Sequence, residues 1–306
     1  MSQEHTKPLR GIAYLLSEGI DPRIIYLVVA LALAMPLIWE VKLPPAPMAA
    51  ADAFFEQVEK LQRADDKLVV IALDWGPGTK AENQPQSMVA MEHLLRKRIP
   101  FAVVSIYAQA APLLDSVPKD VVEILQREQP AEKWEYGKDW VNWGYQPNGF
   151  LYIQNIAKAA DLHPVLKTDA YGTPIGEIPL MARVHTLKDV QMLMQFTGLV
   201  GVFNWWLQFF YTEGYRPPMV HGCTSITIPD AYIYYASKQI VGFYEGVAGA
   251  AWYDKLLTGK YAGRKEELAV RVNTGLAFAQ LIVLGFIILG NIGYLMNRFT
   301  RARPDA

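Results

Sequence analysis

Three short segments of the chain carry the groups that could do chemistry, and each directly follows an apolar stretch typical of a buried strand. They are residues 74–79 (DWGPGT), 144–149 (GYQPNG) and 221–225 (HGCTS). Ligands of open parallel sheets bind at the carboxyl ends of the strands, near the point where the strand order reverses. We therefore expect any site to lie at these three segments.

Two carboxylates and one imidazole are the candidate catalytic groups. Asp74, at the end of the first predicted strand, has the chemistry of a general base or a metal ligand. Asp169 and His221 are the other candidates, and together they suggest a hydrolase or a transferase. For Asp74 we favour the structural alternative, in which the carboxylate caps the turn that follows the strand.

The same segments contain the candidate ligand-binding residues. Gly76 and Gly78 leave backbone amides open to an anion, although glycines in such a turn also serve to provide unusual backbone dihedral angles. The candidates are Gly76, Gly78, Thr79, Gly144, Asn148, Gly149, Thr224 and Ser225.

Several familiar motifs are missing from the sequence. The first predicted strand is followed by neither GxGxxG nor a P-loop, and Gly76 stands where a phosphatase of the haloacid dehalogenase kind needs a second aspartate. Cys223 is typical of a small buried residue, and neither Ser105 nor Ser225 lies in a GxSxG elbow. We therefore predict no cofactor and favour a protein that is not an enzyme.

Composition excludes other classes of function. The 29 basic and 30 acidic residues nearly balance, so no overall positive field is present to attract nucleic acid. A single cysteine excludes an internal disulfide and a site with several thiolates. The five histidines are scattered along the chain, and we predict no metal site.

Two uncharged apolar stretches lie near the ends of the chain, at residues 24–39 and 272–297. A bilayer core about 30 Å thick needs roughly 20 apolar helical residues, which the second stretch has and the first reaches only with its flanks. The alternative for the first stretch is a buried core helix. We predict transmembrane helices at 24–41 and 272–297, a domain at 42–271 between them, and terminal segments at 1–23 and 298–306.

The basic residues next to these stretches predict the orientation. Lys7, Arg10 and Arg23 precede the first stretch, and three arginines follow the second. By the positive-inside tendency, both termini are cytoplasmic and the domain is extracytoplasmic in the cell membrane, although residues 264–271 place three basic residues on the domain side.

Amides in the second stretch form a stripe along one helix face. Asn273, Gln280 and Asn291 are spaced by seven and eleven residues, which return to nearly the same angle. Such a stripe suits contact with a partner helix, either the first apolar helix or another copy of the chain, and Gly275 allows close approach. In the alternative, Asn273 and Asn291 lie near the headgroups and only Gln280 is immersed.

Strand and helix patterns alternate between the two stretches. Residues 67–73, 86–98 and 101–106 predict strand, helix and strand, the unit of a parallel sheet. Further strands are predicted at 139–143, 199–203, 219–224 and 240–244, and further helices at 50–63, 110–127 with a break at Pro118, 151–160, 187–196, 205–211, 230–237 and 247–257. The sequence thus predicts an α/β, Rossmann-like, doubly wound, mostly parallel sheet of five to six strands flanked by two transmembrane helices.

Four segments of the predicted domain together resemble a group of membrane-anchored α/β proteins of bacteria and archaea that has no assigned function. They are DWGPGT at 74–79, DWVNWGYQPNG at 139–149, TDAYGTPIGEIP at 168–179 and YYASKQIVGFYEGVAGAAWYDKL at 234–256. The resemblance implies a coherent module and no particular mechanism.

Three functions fit these features. The first is a structural or ligand-binding subunit of a larger membrane assembly, in contact with the lipid bilayer and with further copies or other membrane subunits. The second is a membrane-anchored hydrolase or transferase with its site at the strand ends. The third, a sensor, lacks a recognisable output module, because the predicted cytoplasmic segments are too short to fold alone.

Overall fold

The computed structural model of the protein describes residues 21–39, 41–265 and 267–301. These residues form two compact units. One is the α/β unit, Pro44–Val270, and the other is the helical unit, which takes in the described residues of Met1–Leu43 and Arg271–Ala306.

The α/β unit is built on a six-stranded sheet in which every pair of neighbouring strands is parallel. The strands are β1 Leu68–Leu73, β2 Phe101–Ser105, β3 Trp140–Tyr145, β4 Val190–Thr197, β5 Met219–Cys223 and β6 Gly242–Tyr244. Their order is β3-β2-β1-β4-β5-β6, so the order reverses between β1 and β4, as in a Rossmann-type sheet. The predicted α/β class and parallel sheet are confirmed.

Ten helices are present in the described residues. In chain order they are α1 Pro22–Ile38, α2 Ala49–Lys60, α3 Lys80–Arg96, α4 Leu113–Glu128, α5 Phe150–Lys158, α6 His163–Leu166, α7 Val200–Phe209, α8 Ile228–Ala236, α9 Gly246–Lys260 and α10 Leu268–Arg301.

Both faces of the sheet are covered, which explains why its strands are apolar on both faces. In β1 every residue is buried, and Val69 and Ile71 pack on one side while Val70 and Ala72 pack on the other. The first side contacts α2, α3, α4 and α9, and the second contacts α5, α7 and α8. A strand buried on both faces reads as a continuous β-branched run, and this is why β1 is recognisable in the sequence.

The prediction was wrong at the centre of the sheet. The helix expected at 187–196 is a short 3-10 turn followed by strand β4, and the strand expected at 199–203 lies largely in helix α7. Gln191 and Gln195 are four residues apart, a spacing that fits a helical period as well as a strand period of two. Residues 190–197 form a strand because they pair with β1 on one side and with β5 on the other.

The predicted break at Pro118 is also wrong, because α4 runs through this residue. Proline removes one backbone hydrogen bond from a helix interior. Here the residue is buried, and the helix places apolar side chains such as Val117 and Val121 against the core. Packing of that apolar face outweighs the local preference.

The helical unit contains α1 and most of α10. Residues Leu268–Met296 of α10 are long and apolar enough to cross a membrane, and few of their side chains are buried. Helix α1 has 17 residues, about 26 Å at 1.5 Å per residue, which is shorter than a bilayer core of about 30 Å. Within this unit a Cβ added to Gly275 would lie 3.4 Å from the carbonyl oxygen of Leu33, so the glycine permits a close approach of the two helices.

Candidate functional site

Asp74 follows β1 at the point where the strand order reverses, and its carboxyl group is the centre of a buried hydrogen-bond network. Oδ1 accepts from the hydroxyl of Ser105 and the backbone amide of Ile106, both at 2.8 Å. Oδ2 accepts from Nε1 of Trp206 at 2.7 Å and from Nε2 of Gln195 at 3.4 Å. The carboxyl group therefore joins β1, β2, β4 and α7.

The network leaves Asp74 without access to a substrate. Its side chain is fully buried, and its four hydrogen-bond partners in the described part of the chain are neutral. Burial raises the pKa of the Asp74 carboxyl, against the effect of the hydrogen bonds from Ile106, Ser105 and Trp206. This geometry supports a structural role for Asp74 over a role as general base. The predicted cap was wrong, because the four donors lie on β2, just after it, on β4 and on α7, and none lies in the turn at 75–79.

The loops after β1, β4 and β5 meet beside this network and leave little space. A Cβ added to Gly198 would lie 2.8 Å from Cγ2 of Thr224 and 3.1 Å from Cγ2 of Thr79. Two predicted ligand-binding residues, Thr79 and Thr224, are thus brought together, but they pack against Gly198 and fill the crevice. Gly198 was not among the candidates, because a lone glycine after an apolar run is common.

His221 lines what remains of the crevice. The cavity beside it, which also touches Phe203 and Thr227, has a volume of about 10 Å³, room for about one water molecule. Nδ1 of His221 lies 3.0 Å from the carbonyl oxygen of Gln195, and the ring packs against Phe203 with centroids 4.3 Å apart. Burial lowers the pKa of His221 to about 4, so the ring is neutral at physiological pH.

The neighbouring nucleophile candidates are held by hydrogen bonds. The amide and hydroxyl of Ser225 both donate to Oε2 of Glu82, at 2.8 and 2.6 Å. The Cys223 thiol is buried and donates to the carbonyl oxygen of Tyr244 at 3.1 Å. Burial raises the pKa of this thiol to about 12, which keeps it protonated and unreactive.

The two glycines after Asp74 differ in their surroundings. A Cβ added to Gly76 would lie 2.6 Å from Oε1 of Gln109, so Gly76 is packed against the loop after β2. Gly78 has no neighbour within 4 Å of an added Cβ and is exposed. The backbone here forms the 3-10 turn Pro77–Thr79, which leads directly into α3.

The loop after β3 lies apart from Asp74. Gly144 has φ +80° and passes beside Ala170, and Asn148 is exposed. Gly149, with φ +53°, lies beside the ring of Trp205. These residues turn the chain into α5, and glycine is favoured at both positive φ angles.

Asp169 belongs to a network of its own. Its carboxylate accepts from the hydroxyl of Tyr136 at 2.6 Å and from the backbone amides of Tyr171 and Thr173 at 2.9 and 2.8 Å. These bonds shape the long connection between β3 and β4. Asp169 therefore lies in a separate hydrogen-bond network. Asp74 and His221 do not contact each other, but both contact Gln195, Asp74 through the side-chain amide and His221 through the backbone carbonyl oxygen.

Comparison of the chain with protein-family models, with curated proteins and with solved structures finds no match. Its function is therefore inferred from the geometry alone.

Large apolar side chains surround the carboxyl edge of the sheet. They come from the loops after β3, β4 and β5 and from the helices that follow, and Ile226 is 90% exposed. The apolar rim, as we call this set, consists of Phe150, Leu151, Leu199, Val200, Trp205, Ile226 and Ile233. At the edge where comparable sheets bind ligands, the cavity beside His221 is thus small, and exposed apolar side chains stand among exposed polar residues such as Asn148 and Ser225.

A buried ion network lies on the other side of the α/β unit and was not predicted. Nε and Nη2 of Arg264 donate to the two carboxylate oxygens of Glu92, each at 2.7 Å. Asp254 pairs with the same guanidinium, and Arg96 joins Glu92 to Glu128. Burial raises the pKa of Asp254 to about 7. The residues come from three distant parts of the chain, so no local pattern reveals the whole network.

An open recess of about 390 Å³ lies at the amino ends of β1, β2 and β3. Its charged lining residues partly neutralise one another, since Arg98 lies 3.8 Å from Asp139 and Arg183 lies 3.9 Å from Asp65. None of the predicted site residues lines it.

The amide residues of α10 are arranged as follows. Asn273 is half-buried, whereas Gln280 and Asn291 are exposed. Nδ2 of Asn291 donates to the carbonyl oxygen of Ile287 in the same helix at 2.9 Å. The close approach to Leu33 is made at Gly275, so the contact of Gln280 and Asn291 with a partner helix stays a prediction.

Proposed function

We propose that the protein is a membrane-tethered, non-catalytic subunit of a larger membrane assembly, and that its α/β unit binds a neighbouring subunit through the apolar rim. The observation that carries this proposal is the state of the carboxyl edge. Its crevice has room for about one water molecule, while Ile226 beside it is 90% exposed. An exposed apolar patch marks a surface that binds another protein or a membrane.

Helix α10 is the tether in this proposal, and α1 is a second and shorter one. Both termini are cytoplasmic and the α/β unit is extracytoplasmic, as the basic flanks suggest. The length and composition of Leu268–Met296 support the first tether. Helix α1 spans a bilayer only if its exposed flanking residues Trp39 and Val41 lie at the interface.

The neighbouring subunit is a second copy of the chain or another membrane protein of the same assembly. An enzyme using Asp74, Asp169 and His221 has less support, because the three side chains share no cleft. A nucleophile and its base must lie within hydrogen-bond reach to act together.

The proposal is tested by measuring the mass of the full-length protein after gentle extraction in detergent. Light scattering with correction for bound detergent is expected to give a mass greater than that of one chain. Ile226→Asp, which places a charge in the apolar rim, is expected to reduce that mass.

Val165→Asp is the matched control, because Val165 is exposed but lies on α6 and outside the apolar rim. A wild-type protein that runs as a single chain without partners contradicts the proposal. Equal effects of the two substitutions contradict the choice of surface.

A further inference from the structure

Two histidines and one aspartate come together on the long connection between β3 and β4. Asp161 and His163 lie at the start of α6, and His185 lies five residues before β4 begins. One ligand atom from each of these three residues lies within 4.8 Å of the others. The two imidazole rings have centroids 4.6 Å apart and planes inclined by 37°.

His163 is oriented by a backbone hydrogen bond. Its Nε2 lies 2.9 Å from the carbonyl oxygen of Met181. A neutral imidazole that donates from Nε2 has its lone pair on Nδ1, the arrangement found in metal-binding histidines whose second nitrogen donates to a carbonyl. A Cβ added to Gly176 would lie 3.5 Å from Nδ1, so a larger residue there would contact this nitrogen.

Asp161 is already positioned beside both histidines. Its Oδ1 accepts from the backbone amide of His163 at 3.1 Å and lies 3.2 Å from Nδ1 of His185. The amide of Leu162 donates to the carbonyl oxygen of His185 at 2.6 Å, which holds the two ends of the cluster together.

We propose that Asp161, His163 and His185 bind a divalent transition-metal cation, with zinc as the best fit. Two imidazoles and one carboxylate are a ligand set typical of zinc and related ions, whereas magnesium and calcium prefer oxygen ligands alone. A bound ion would link the two ends of the segment 163–185. Three protein ligands leave the fourth coordination position of the ion to a water molecule.

The geometry needs only small adjustments. Ligand atoms about 2.1 Å from a tetrahedral ion lie about 3.4 Å from one another, so atoms now up to 4.8 Å apart must close by up to about 1.4 Å. The side chains of His185 and Asp161 are 48% and 45% exposed and are free to rotate by this amount. Coordination replaces the weak contact between them.

The experiment measures zinc on the full-length protein in detergent, purified without a histidine tag. The protein is stripped with a chelator, dialysed against ZnCl2 and analysed for bound metal by mass spectrometry. We expect one zinc ion per chain. Cobalt(II) in place of zinc should give visible absorption bands of a site with nitrogen and oxygen ligands.

Two variants locate the site. His163→Gln retains an amide that can donate to the carbonyl oxygen of Met181, and His185→Ala removes an exposed ring. Each should weaken zinc binding by at least about 10- to 100-fold, the loss seen when even an outer-shell partner is removed. Added zinc should raise the melting temperature of the wild type and leave that of both variants unchanged.

Glu213→Gln is the matched control, since it changes a carboxylate that is exposed elsewhere on the α/β unit. It should bind zinc as the wild type does. A stripped wild-type protein that takes up no zinc overturns the proposal, and so does equal zinc binding by the wild type and both histidine variants. The result is independent of the proposed role as a subunit.

Discussion

The indole of Trp206 donates a 2.7 Å hydrogen bond to Oδ2 of Asp74, and both side chains are buried. Trp206 lies in the helix after β4, and Asp74 lies at the end of β1. The bond therefore crosses the point where the strand order reverses, where sheets of this type usually open to a ligand. In this protein the same position is part of the core.

Replacing Asp74 tests this interpretation. Asp74→Ala leaves four buried donors without their acceptor, and we expect the free energy of unfolding to fall by at least about 3 kcal/mol. Trp206→Phe removes one donor and keeps most of the ring, so a loss of about 1–3 kcal/mol is expected. Urea denaturation in detergent micelles, followed by tryptophan fluorescence, measures both. An Asp74→Ala protein as stable as the wild type contradicts the structural role.

Gly222 in β5 tests the packing between the sheet and α3. A Cβ there would lie 2.2 Å from Cδ1 of Phe196 and 2.8 Å from Oε1 of Gln86. Gly222→Ala should lower the free energy of unfolding by about 1–3 kcal/mol through overpacking. Gly78→Ala is the control, because an added Cβ meets nothing within 4 Å. In thermal unfolding, Gly222→Ala should have a lower melting temperature than Gly78→Ala. Equal melting temperatures would show that the core around Gly222 has room for an added methyl group.

Arg264 tests the buried ion network. Arg264→Met retains the aliphatic volume but leaves Glu92 and Asp254 without their shared cation, and we expect a loss of about 3–5 kcal/mol. Lys119→Ala, which removes an exposed partner of Asp115, should have no measurable effect on the unfolding free energy. Similar losses for the two variants would contradict the burial of the network.

His221 predicts a dependence of stability on pH. Burial lowers its pKa from 6.5 to about 4, so the unfolded chain takes up a proton below pH 6.5 while the folded protein does not. The stability that this neutral histidine contributes is complete above pH 6.5 and is lost as pH falls towards 4, by up to about 1.4 kcal/mol per pH unit.

His221→Gln does not titrate in this range, which makes it the reference for the pH experiment. The difference in unfolding free energy between the wild type and His221→Gln should narrow as pH falls from 6.5 to 4. Urea titrations across this range measure it. A difference that stays constant would show that the ring is solvated in the folded protein.

Labelling of single cysteines tests the proposed orientation. Glu213→Cys places a thiol on an exposed loop of the α/β unit, and a membrane-impermeant maleimide should label it in intact cells. The native thiol of Cys223 is buried and should give little background. Ser2→Cys should be labelled only after permeabilisation. The reverse pattern would place the α/β unit in the cytoplasm.

Local sequence patterns predicted most of the strands but missed the most central pairing. The run at β1 is apolar and β-branched over its whole length, so its burial on both faces was evident. Strand β4 contains methionine, leucine and glutamine, residues that also favour helices, and only its pairing with β1 and β5 determines its conformation. Gly198 likewise could not be recognised from its neighbours in the sequence, because it is packed against Thr79 and Thr224, which are distant along the chain.

The α/β class, the parallel sheet and the apolar length of α10 follow from the order of the residues, because hydropathy and its period are properties of neighbouring residues. The tertiary structure alone decided that Asp74 is enclosed by Ser105, Gln195 and Trp206, and that His163 and His185 lie side by side. The burial and the partners of a polar group depend on residues that are distant along the chain. A local sequence pattern does not show which of these distant residues are close in space.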